Sequence, residues 1–265
     1  MLPWLDRKGR LSPLKLVVFV ALFVPGLWTA ADYALGNLGA RPLTEVIHSA
    51  GLWMIRFLLL SLLITPAREL LRWPRLILIR RMVGVAAFAY GAAHIGVYIA
   101  DQMFDLAKVA SEIVLRIYLT IGFVALLLLT ALAATSTDGM IRRLGSGRWR
   151  RLHRLSYVIG ILGLIHFFIQ SKLDVTEPTI VAGFFVWLMG YRAVAPAWRG
   201  RTMPVWTTSM LAVAAGLVTA LGEAAYFWAV NGVDPARVLA AKLAFGLGLR
   251  PAWICLLYTS PSPRD

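Results

Sequence analysis

The sequence MVGVAAFAYGAAHIGVYIA, residues 82–100, places one histidine, His94, inside a run of apolar and small residues. A run of roughly 20 such residues is what an α-helix needs to cross the hydrocarbon core of a membrane. Ionisable side chains are costly at that depth and usually mark a functional pathway. This segment is therefore predicted to be a membrane span, and His94 is a candidate functional residue.

The rest of the chain has the same apolar character. Hydrophobic residues make up 59% of the 265 residues and charged residues 15%, whereas roughly a quarter of the residues in soluble domains are charged. The fold class is therefore predicted to be all-α, a polytopic transmembrane bundle of six core helices plus about two C-terminal helices. The predicted spans lie at about 14–31, 47–65, 82–100, 117–135, 155–170, 179–195 and 205–230, with another beginning near 237.

The basic residues alternate from loop to loop. Most of the 27 Lys and Arg residues lie before the first span and after the second, fourth and sixth spans, at 7–15, 68–81, 142–154 and 192–201. Cytoplasmic loops retain Lys and Arg, so the N-terminus is predicted to be cytoplasmic. We interpret the first apolar run as an uncleaved span, because it is longer than the apolar core of a typical signal peptide.

The net charge of +14 is divided among these short loops and is not gathered on one folded domain. This distribution favours contact with anionic lipid headgroups of the bilayer and argues against nucleic acid as a partner. Three arginines next to the helix of His94 have an alternative role, the binding of cofactor carboxylates or phosphates. They are Arg75, Arg80 and Arg81.

The single cysteine, Cys255, begins the string CLLYTSPSPRD (255–265), where the composition changes abruptly. We expect this string to be a non-native, adaptor-derived tail and the natural chain to continue past Ile254. With no other cysteine present, the sequence excludes a c-type haem attachment, a thiolate iron–sulfur site and thiol redox catalysis. A redox cofactor would have to be held without a covalent bond.

Two histidines have matching depths. Counted from span ends at Met82 and Leu155, His94 and His166 lie 12 and 11 residues into their helices, roughly 17–18 Å at 1.5 Å per residue. Two neutral imidazoles at one depth on two helices are what axial ligation of a b-type haem requires. Small residues around His94 would leave room for a flat macrocycle, although they also serve helix packing. The alternative role for each histidine is a hydrogen-bonded packing residue.

The other two histidines are harder to place. His153 precedes His166 by 13 residues, a spacing that suits a second haem, but on a straight helix their side chains would point about 140° apart. Two roles remain open for His153. It could ligate a second haem, with Met82, Met140 or a neighbouring chain supplying the other ligand, or it could hold a propionate, a flavin phosphate or lipid. His48 opens the second helix on the outer side and is a candidate for a partner or quinone site.

Three stretches carry a resemblance to a known family: LLITPARELLRWPRLILIRRMVGVAAFAYGAAHIGVY (62–98), LRIYLTIGF (115–123) and TALAATSTDGMIRRLGSGRWRRLHRLSYVIGILGLIHFF (130–168). In order and spacing they resemble the MsrQ family, formerly YedZ. These are haem-binding membrane subunits of the ferric-reductase-like transmembrane superfamily. The resemblance implies that His94, His153 and His166 are linked to haem and that His48 is an outer-edge residue.

The resemblance also implies a function. Members carry electrons from the quinone pool through haem b, with FMN as a further cofactor, to a periplasmic molybdopterin enzyme, MsrP, that reduces methionine sulfoxide in oxidised proteins. The implied location is the bacterial inner membrane. No substrate-converting site is expected in this chain, because it has no glycine-rich nucleotide fingerprint and no long soluble stretch.

The resulting domain organisation has four parts. Residues 1–38 form the N-terminal segment and first helix, 39–195 the haem-binding core, 196–254 additional and truncated C-terminal helices, and 255–265 the non-native tail. Two alternative functions remain open: a cytochrome b-type subunit that serves another periplasmic oxidoreductase, and a haem-free transporter or assembly protein whose histidines bind protons or substrate.

Overall fold

A computed structural model of the chain describes residues 3–5, 9–171, 174–198, 203–241 and 250–259. Seven helical segments in this part of the chain are long and apolar enough to cross a membrane. The prediction of an all-α, multi-pass membrane protein is confirmed. The helices are α1 (Pro13–Ala21), α2 (Val24–Ala34), α3 (Pro42–Leu70), α4 (Arg80–Asp101), α5 (Leu106–Leu115), α6 (Ile117–Ala134), α7 (Asp138–Leu144), α8 (Ser146–His153), α9 (Leu155–Ser171), α10 (Thr176–Val194), α11 (Val205–Asn231), α12 (Pro235–Ala241) and α13 (Pro251–Thr259).

The first span is a broken helix, where the sequence predicted one helix over 14–31. The ladder of hydrogen bonds is interrupted between α1 and α2, next to Pro25 in the first turn of α2. The hydroxyl of Tyr90, on α4, occupies the break: it donates to the carbonyl of Leu22 at 2.9 Å and accepts from the N–H of Gly26 at 2.8 Å. A side chain inserted into the backbone ladder is an established cause of helix bending.

Packing divides the chain into two units, Met1–His166 and Phe167–Asp265, with the division inside α9. In the first unit, α3, α4 and α6 meet at Gly91, where a Cβ would lie 3.0 Å from the Met54 sulfur and 3.0 Å from a Leu126 methyl carbon. Lipid is as apolar as these side chains, so close packing over small residues is the main source of helix association here.

The second unit is built on α10, α11 and α13. A Cβ at Gly183 would lie 2.5 Å from the Thr219 hydroxyl and 2.8 Å from the Cys255 sulfur, so these three helices also pack over a glycine. Cys255 is buried, with 2% of its surface exposed. Asp174 lies two residues before α10, and its carboxylate accepts a hydrogen bond from the backbone N–H of Thr176, the first residue of that helix, at 3.0 Å.

The C-terminal predictions are covered only in part. The expected eighth span, from residue 237, includes the end of α12 and part of α13. Residues 242–249 between these two helices lie outside the described residues. Residues 255–259 of the predicted tail complete α13, and 260–265 lie outside the described residues. The non-native origin of the tail stays a prediction.

The helix that carries His166 does not continue straight back to His153. Arg154 separates α8 from α9. The backbone hydrogen bonds around it join residues three apart and not four apart as in an α-helix: Arg154 N to Arg151 O at 3.2 Å, and Tyr157 N to Arg154 O at 3.1 Å. The 140° estimate assumed an unbroken helix, so it does not apply to His153 and His166.

Two connections between spans are themselves helical. α5 is capped by Asp105, which accepts from the backbone N–H of Lys108 at 2.9 Å, and α7 is capped by Thr137, which accepts from that of Met140 at 3.2 Å. The arginines on α7 and α8, and the arginine directly after α8, are all exposed: Arg142, Arg143, Arg148, Arg150, Arg151 and Arg154. Other basic residues used for the predicted orientation lie outside the described residues: Arg7, Lys8, Arg199 and Arg201.

Candidate functional site

His94 lies on α4 and contacts the backbone of α3. Its Nδ1 atom is 2.8 Å from the carbonyl oxygen of Ile47. A carbonyl oxygen only accepts hydrogen bonds, so Nδ1 donates and carries the proton. Gly51 lies one turn farther along α3, and a Cβ there would lie 3.0 Å from Nδ1 and 3.2 Å from Cε1 of the imidazole. The missing side chain at Gly51 lets the ring reach the α3 backbone.

His166, on α9, is held against α6 in the same way. Its Nδ1 atom donates to the carbonyl of Tyr118 at 2.8 Å. Gly122 lies one turn farther along α6, and a Cβ there would lie 2.8 Å from Nδ1 and 2.9 Å from Cε1 of the ring. The Tyr118 ring also stacks on the imidazole, with centroids 6.3 Å apart and planes 28° apart. Each imidazole is therefore held by a backbone carbonyl and by the space beside a glycine four residues later on the same helix. We call this pair of features the histidine seat: Ile47 and Gly51 for His94, and Tyr118 and Gly122 for His166.

The two half-buried imidazoles, one from α4 and one from α9, lie close together. Their ring centroids are 6.3 Å apart and their planes are perpendicular, at 90°. A metal–imidazole bond is about 2 Å long and the centroid lies about 1 Å behind the nitrogen, so two imidazoles on opposite sides of one ion have centroids about 6 Å apart. The separation of His94 and His166 matches that value.

The protonation of the pair suits metal binding. With the proton on Nδ1, the Nε2 atom of each ring keeps its lone pair, and a second hydrogen bond to a carbonyl is the usual support of a metal-binding histidine. No group of three or more His, Cys, Asp or Glu side chains suited to a metal ion occurs in the described part of the chain. An ion held by only His94 and His166 would need its other ligands from a bound group, as a haem macrocycle provides.

The structure places His153 apart from this pair. His153 is the last residue of α8, and its Nε2 is 3.3 Å from the hydroxyl of Thr135, which follows the C-terminal end of α6. Its ring stacks on that of Trp149, also on α8, with centroids 3.9 Å apart. His166 contacts Tyr118 at the N-terminal end of α6, and 17 residues of helix separate Tyr118 from Thr135, about 25 Å. The hydroxyl of Thr135 donates to a carbonyl of its own helix at 2.8 Å, so Nε2 of His153 donates to the hydroxyl oxygen.

The remaining predicted residues occupy different places. Arg80 is close enough to His153 for its charge to act on that imidazole. Arg81 forms an ion pair of 2.5 Å with Asp138. Arg75 is exposed on a short 3-10 turn after α3, and His48 is exposed on α3. The structure therefore brings together His94 and His166 among the predicted site residues, and it gives Arg81 a protein carboxylate as its partner.

The two glycines beside the histidines were not among the predicted site residues. Gly51 and Gly122 each lie in a predicted span, where glycine is otherwise unfavourable. The small residues that were singled out near His94 have another role in one case, since Gly91 packs against α3 and α6. An unexplained glycine inside an apolar helix was the available signal.

The class of protein follows from a comparison with family models. The model described as "Ferric reductase like transmembrane component" matches residues 50–164. The matched segment contains Gly51, His94 and Gly122 and ends two residues before His166.

Curated relatives give the family. The chain is 46% identical over 197 residues to the protein-methionine-sulfoxide reductase heme-binding subunit MsrQ of Rhodospirillum rubrum, covering 74% of this chain and 92% of that relative. It is 41% identical over 186 residues to MsrQ of Caulobacter vibrioides, covering 70% and 87% of the two chains. It is 35% identical over 221 residues to MsrQ of Azospira oryzae, covering 81% and 95%. The chain belongs to the MsrQ family. No solved structure matches it.

Proposed function

We propose that this chain is a membrane electron-transfer subunit that binds haem b through His94 and His166. In this proposal it takes electrons from the quinone pool and passes them to a periplasmic molybdopterin methionine sulfoxide reductase, MsrP, for repair of oxidised proteins. The names of the relatives support the haem and the reductase system. The observation that carries the proposal for this chain is the pair of imidazoles with centroids 6.3 Å apart, each donating through Nδ1 to a backbone carbonyl.

Haem would supply one-electron chemistry at the iron, and the protein residues hold and shield it. The carbonyls of Ile47 and Tyr118 fix the proton and orientation of each imidazole, which keeps Nε2 available as a ligand. Apolar helices surround the pair and keep it from bulk water, which favours a stable, neutral ligand set. The chain needs no substrate-converting residue for this role, because the reaction on the sulfoxide belongs to the partner.

We propose a separate role for His153. The positive charge of Arg80 acts on His153, and Arg151 and Arg154 flank it in the sequence, so an anionic group of a cofactor would be favoured near this imidazole. The resemblance makes His153 haem-linked and FMN a second cofactor, and a haem propionate or a flavin phosphate both fit that chemistry. Arg75 remains a candidate contact for the same group.

The proposed location is the bacterial inner membrane with a cytoplasmic N-terminus. The described arginines of α7 and α8 support this orientation, because basic residues are retained in cytoplasmic loops. In this orientation His94 lies seven residues before the end of α4, about 10 Å from the outer end of the helix. Electrons leaving the pair would then have a short path to a periplasmic partner.

Haem quantitation on purified single variants tests the ligand assignment. We expect His94→Ala and His166→Ala each to lose the haem whose ligands they are. His153→Ala should keep that haem, and His48→Ala is the matched control because His48 is exposed on α3. Full haem in both of the first two variants would refute the pairing.

Spectra and co-purification separate the alternative functions. Purified protein without the Soret and α bands of reduced haem b would support the haem-free transporter or assembly protein. Co-purification with a different periplasmic oxidoreductase, and no loss of quinol-driven methionine sulfoxide reduction on deletion of this chain, would support the other cytochrome b-type role. Extraction and fluorescence of released flavin measures the FMN content directly.

A further inference from the structure

A groove of about 600 Å³ lies between α2 and α3, outside the histidine pair. Each helix contributes one stripe of side chains. On α3 the stripe repeats every four residues, with Glu45, Ser49, Trp53 and Phe57. On α2 it includes Trp28 and the residues around it. Side chains four apart lie on one face of a helix, so the α3 side of the groove has polar side chains toward one end and aromatic side chains toward the other.

The polar end presents acceptors of hydrogen bonds. The hydroxyl of Thr29 donates to the carbonyl of Pro25 at 3.0 Å, so in its 2.8 Å contact with the Ser49 hydroxyl it is Ser49 that donates. Both hydroxyl protons are thus used within the protein. The carboxylates of Asp32 and Glu45 complete this end of the groove and can only accept when ionised. A hydroxyl group of a ligand would find acceptors at this end, beside the Asn37 amide that already donates to Asp32 at 3.2 Å.

The groove is close to the histidine pair. Ser49 lies between Ile47 and Gly51 in sequence, and both of these hold His94 on the other side of α3. Two residues correspond to a rotation of about 200° on a helix, so Ser49 and the His94 seat are on opposite faces of α3 at one level. One helix, about 10 Å across, separates the groove from the imidazole.

We propose that this groove binds a membrane quinol, with its aromatic head between the tryptophans and a hydroxyl group donating to the carboxylates of Asp32 and Glu45. The inference rests on the proposed function, which names the quinone pool as the electron source. An oxidised quinone offers only acceptors and fits this end less well. The carboxylates repel an anionic phospholipid headgroup, and the flat aromatic walls favour a ring over an acyl chain.

The groove also gives the quinol a route for its protons. Oxidation of one quinol to the quinone breaks two O–H bonds and releases two protons and two electrons. The carboxylates of Asp32 and Glu45 would accept the two protons, and His94 and His166 would hold the haem that accepts the two electrons, one at a time, from across α3.

Photolabelling of the full chain in nanodiscs tests the position of the site without using activity. A short-tailed azido-quinone, reduced to its quinol, should label peptides within 21–57. Ser49→Leu, which fills the groove and removes a hydroxyl, should reduce labelling at least tenfold. Thr130→Leu is its control, since Thr130 is an exposed hydroxyl residue on α6 that bonds only to its own helix in the described contacts.

Isosteric variants test the carboxylates in case Ser49→Leu fails to fold. Asp32→Asn and Glu45→Gln should each slow reduction of the haem by decylubiquinol at least tenfold, whereas dithionite should reduce it as in wild type. Glu69→Gln, at the other end of α3, should behave as wild type.

Each outcome bears on one of the two proposals. Labelling elsewhere in the chain, wild-type labelling in Ser49→Leu, or equal competition by a phospholipid would overturn the quinol site while the haem assignment stands. Wild-type rates in both carboxylate variants would also overturn it. A chain that purifies without haem would refute the proposed function, and the photolabel would still report on the groove.

Discussion

Replacement of Gly122 by alanine should weaken haem binding even though it adds a better helix former. The new Cβ would lie 2.8, 2.9 and 3.1 Å from three atoms of the His166 ring. Ordinary van der Waals contact begins near 3.4 Å, so the ring must move by about 0.6 Å. That movement disturbs the 2.8 Å hydrogen bond from Nδ1 to the Tyr118 carbonyl.

The magnitude follows from the loss of support for a metal ligand. Removal of such a supporting contact typically costs about 10–100-fold in affinity, or roughly 1.4–2.7 kcal/mol. The same substitution favours the α6 helix itself by about 0.5–1 kcal/mol, because alanine loses less backbone entropy than glycine on folding. Haem affinity should therefore fall, whereas the stability of the haem-free protein should change less, because the gain in the helix and the displacement of the His166 ring oppose one another.

Titration of the haem-free protein with haem, followed by Soret absorbance in detergent, measures the affinity, and thermal unfolding followed by circular dichroism measures the stability. Gly51→Ala should show a smaller loss, because its Cβ would lie 3.0 Å from the His94 ring at closest. Gly96→Ala is the control, since nothing lies within 4 Å of a Cβ at that position on α4. Equal haem affinity in the Gly122 and Gly96 variants would refute the role assigned to the glycine.

Three other predictions concern the frame around the site. Tyr90→Phe removes the hydroxyl that makes hydrogen bonds of 2.8 and 2.9 Å at the break in the first span, and should lower the free energy of unfolding by about 1–3 kcal/mol, whereas Tyr33→Phe, at an exposed position, should not. Asp105→Ala removes the cap of α5 and should cost about 0.5–2 kcal/mol, seen as faster amide exchange in that helix; unchanged exchange would contradict it. Hydrogen bonds from Thr176 lower the pKa of Asp174 in the folded protein. The ionised carboxylate therefore stabilises the fold fully above the pKa that Asp174 has in the unfolded chain, and this contribution is lost as the pH falls through its pKa in the folded protein. Asp174→Asn should reduce this loss of stability at low pH when unfolding is measured over a pH series, and an unchanged loss would contradict a role for the hydrogen bonds from Thr176.

The sequence was sufficient for the fold class and for the matching depth of two histidines. Span lengths and the rise of an α-helix placed His94 and His166 at one level, and the structure brings their centroids to 6.3 Å. These quantities depend on positions along single helices, which residue counts give directly.

Features that depend on contacts between distant segments could not be predicted in the same way. The first span appeared continuous, because the hydroxyl that occupies its break comes from Tyr90, 64 residues after Gly26. The angle between His153 and His166 was computed for a straight helix, and no glycine or proline marks the break at Arg154. Which backbone each imidazole meets depends on the choice of neighbouring helices, and hydropathy does not determine that choice.

The two histidine seats restrict sequence change in an unusual pattern. The hydrogen bond from each Nδ1 is accepted by a main-chain oxygen at position 47 or 118, and every amino acid has such an oxygen. Positions 51 and 122, in contrast, tolerate no side chain without displacing a ring. In future comparisons of related chains, we therefore expect variation at position 47 and invariance at positions 51 and 122, whereas position 118 also carries the ring that stacks on His166.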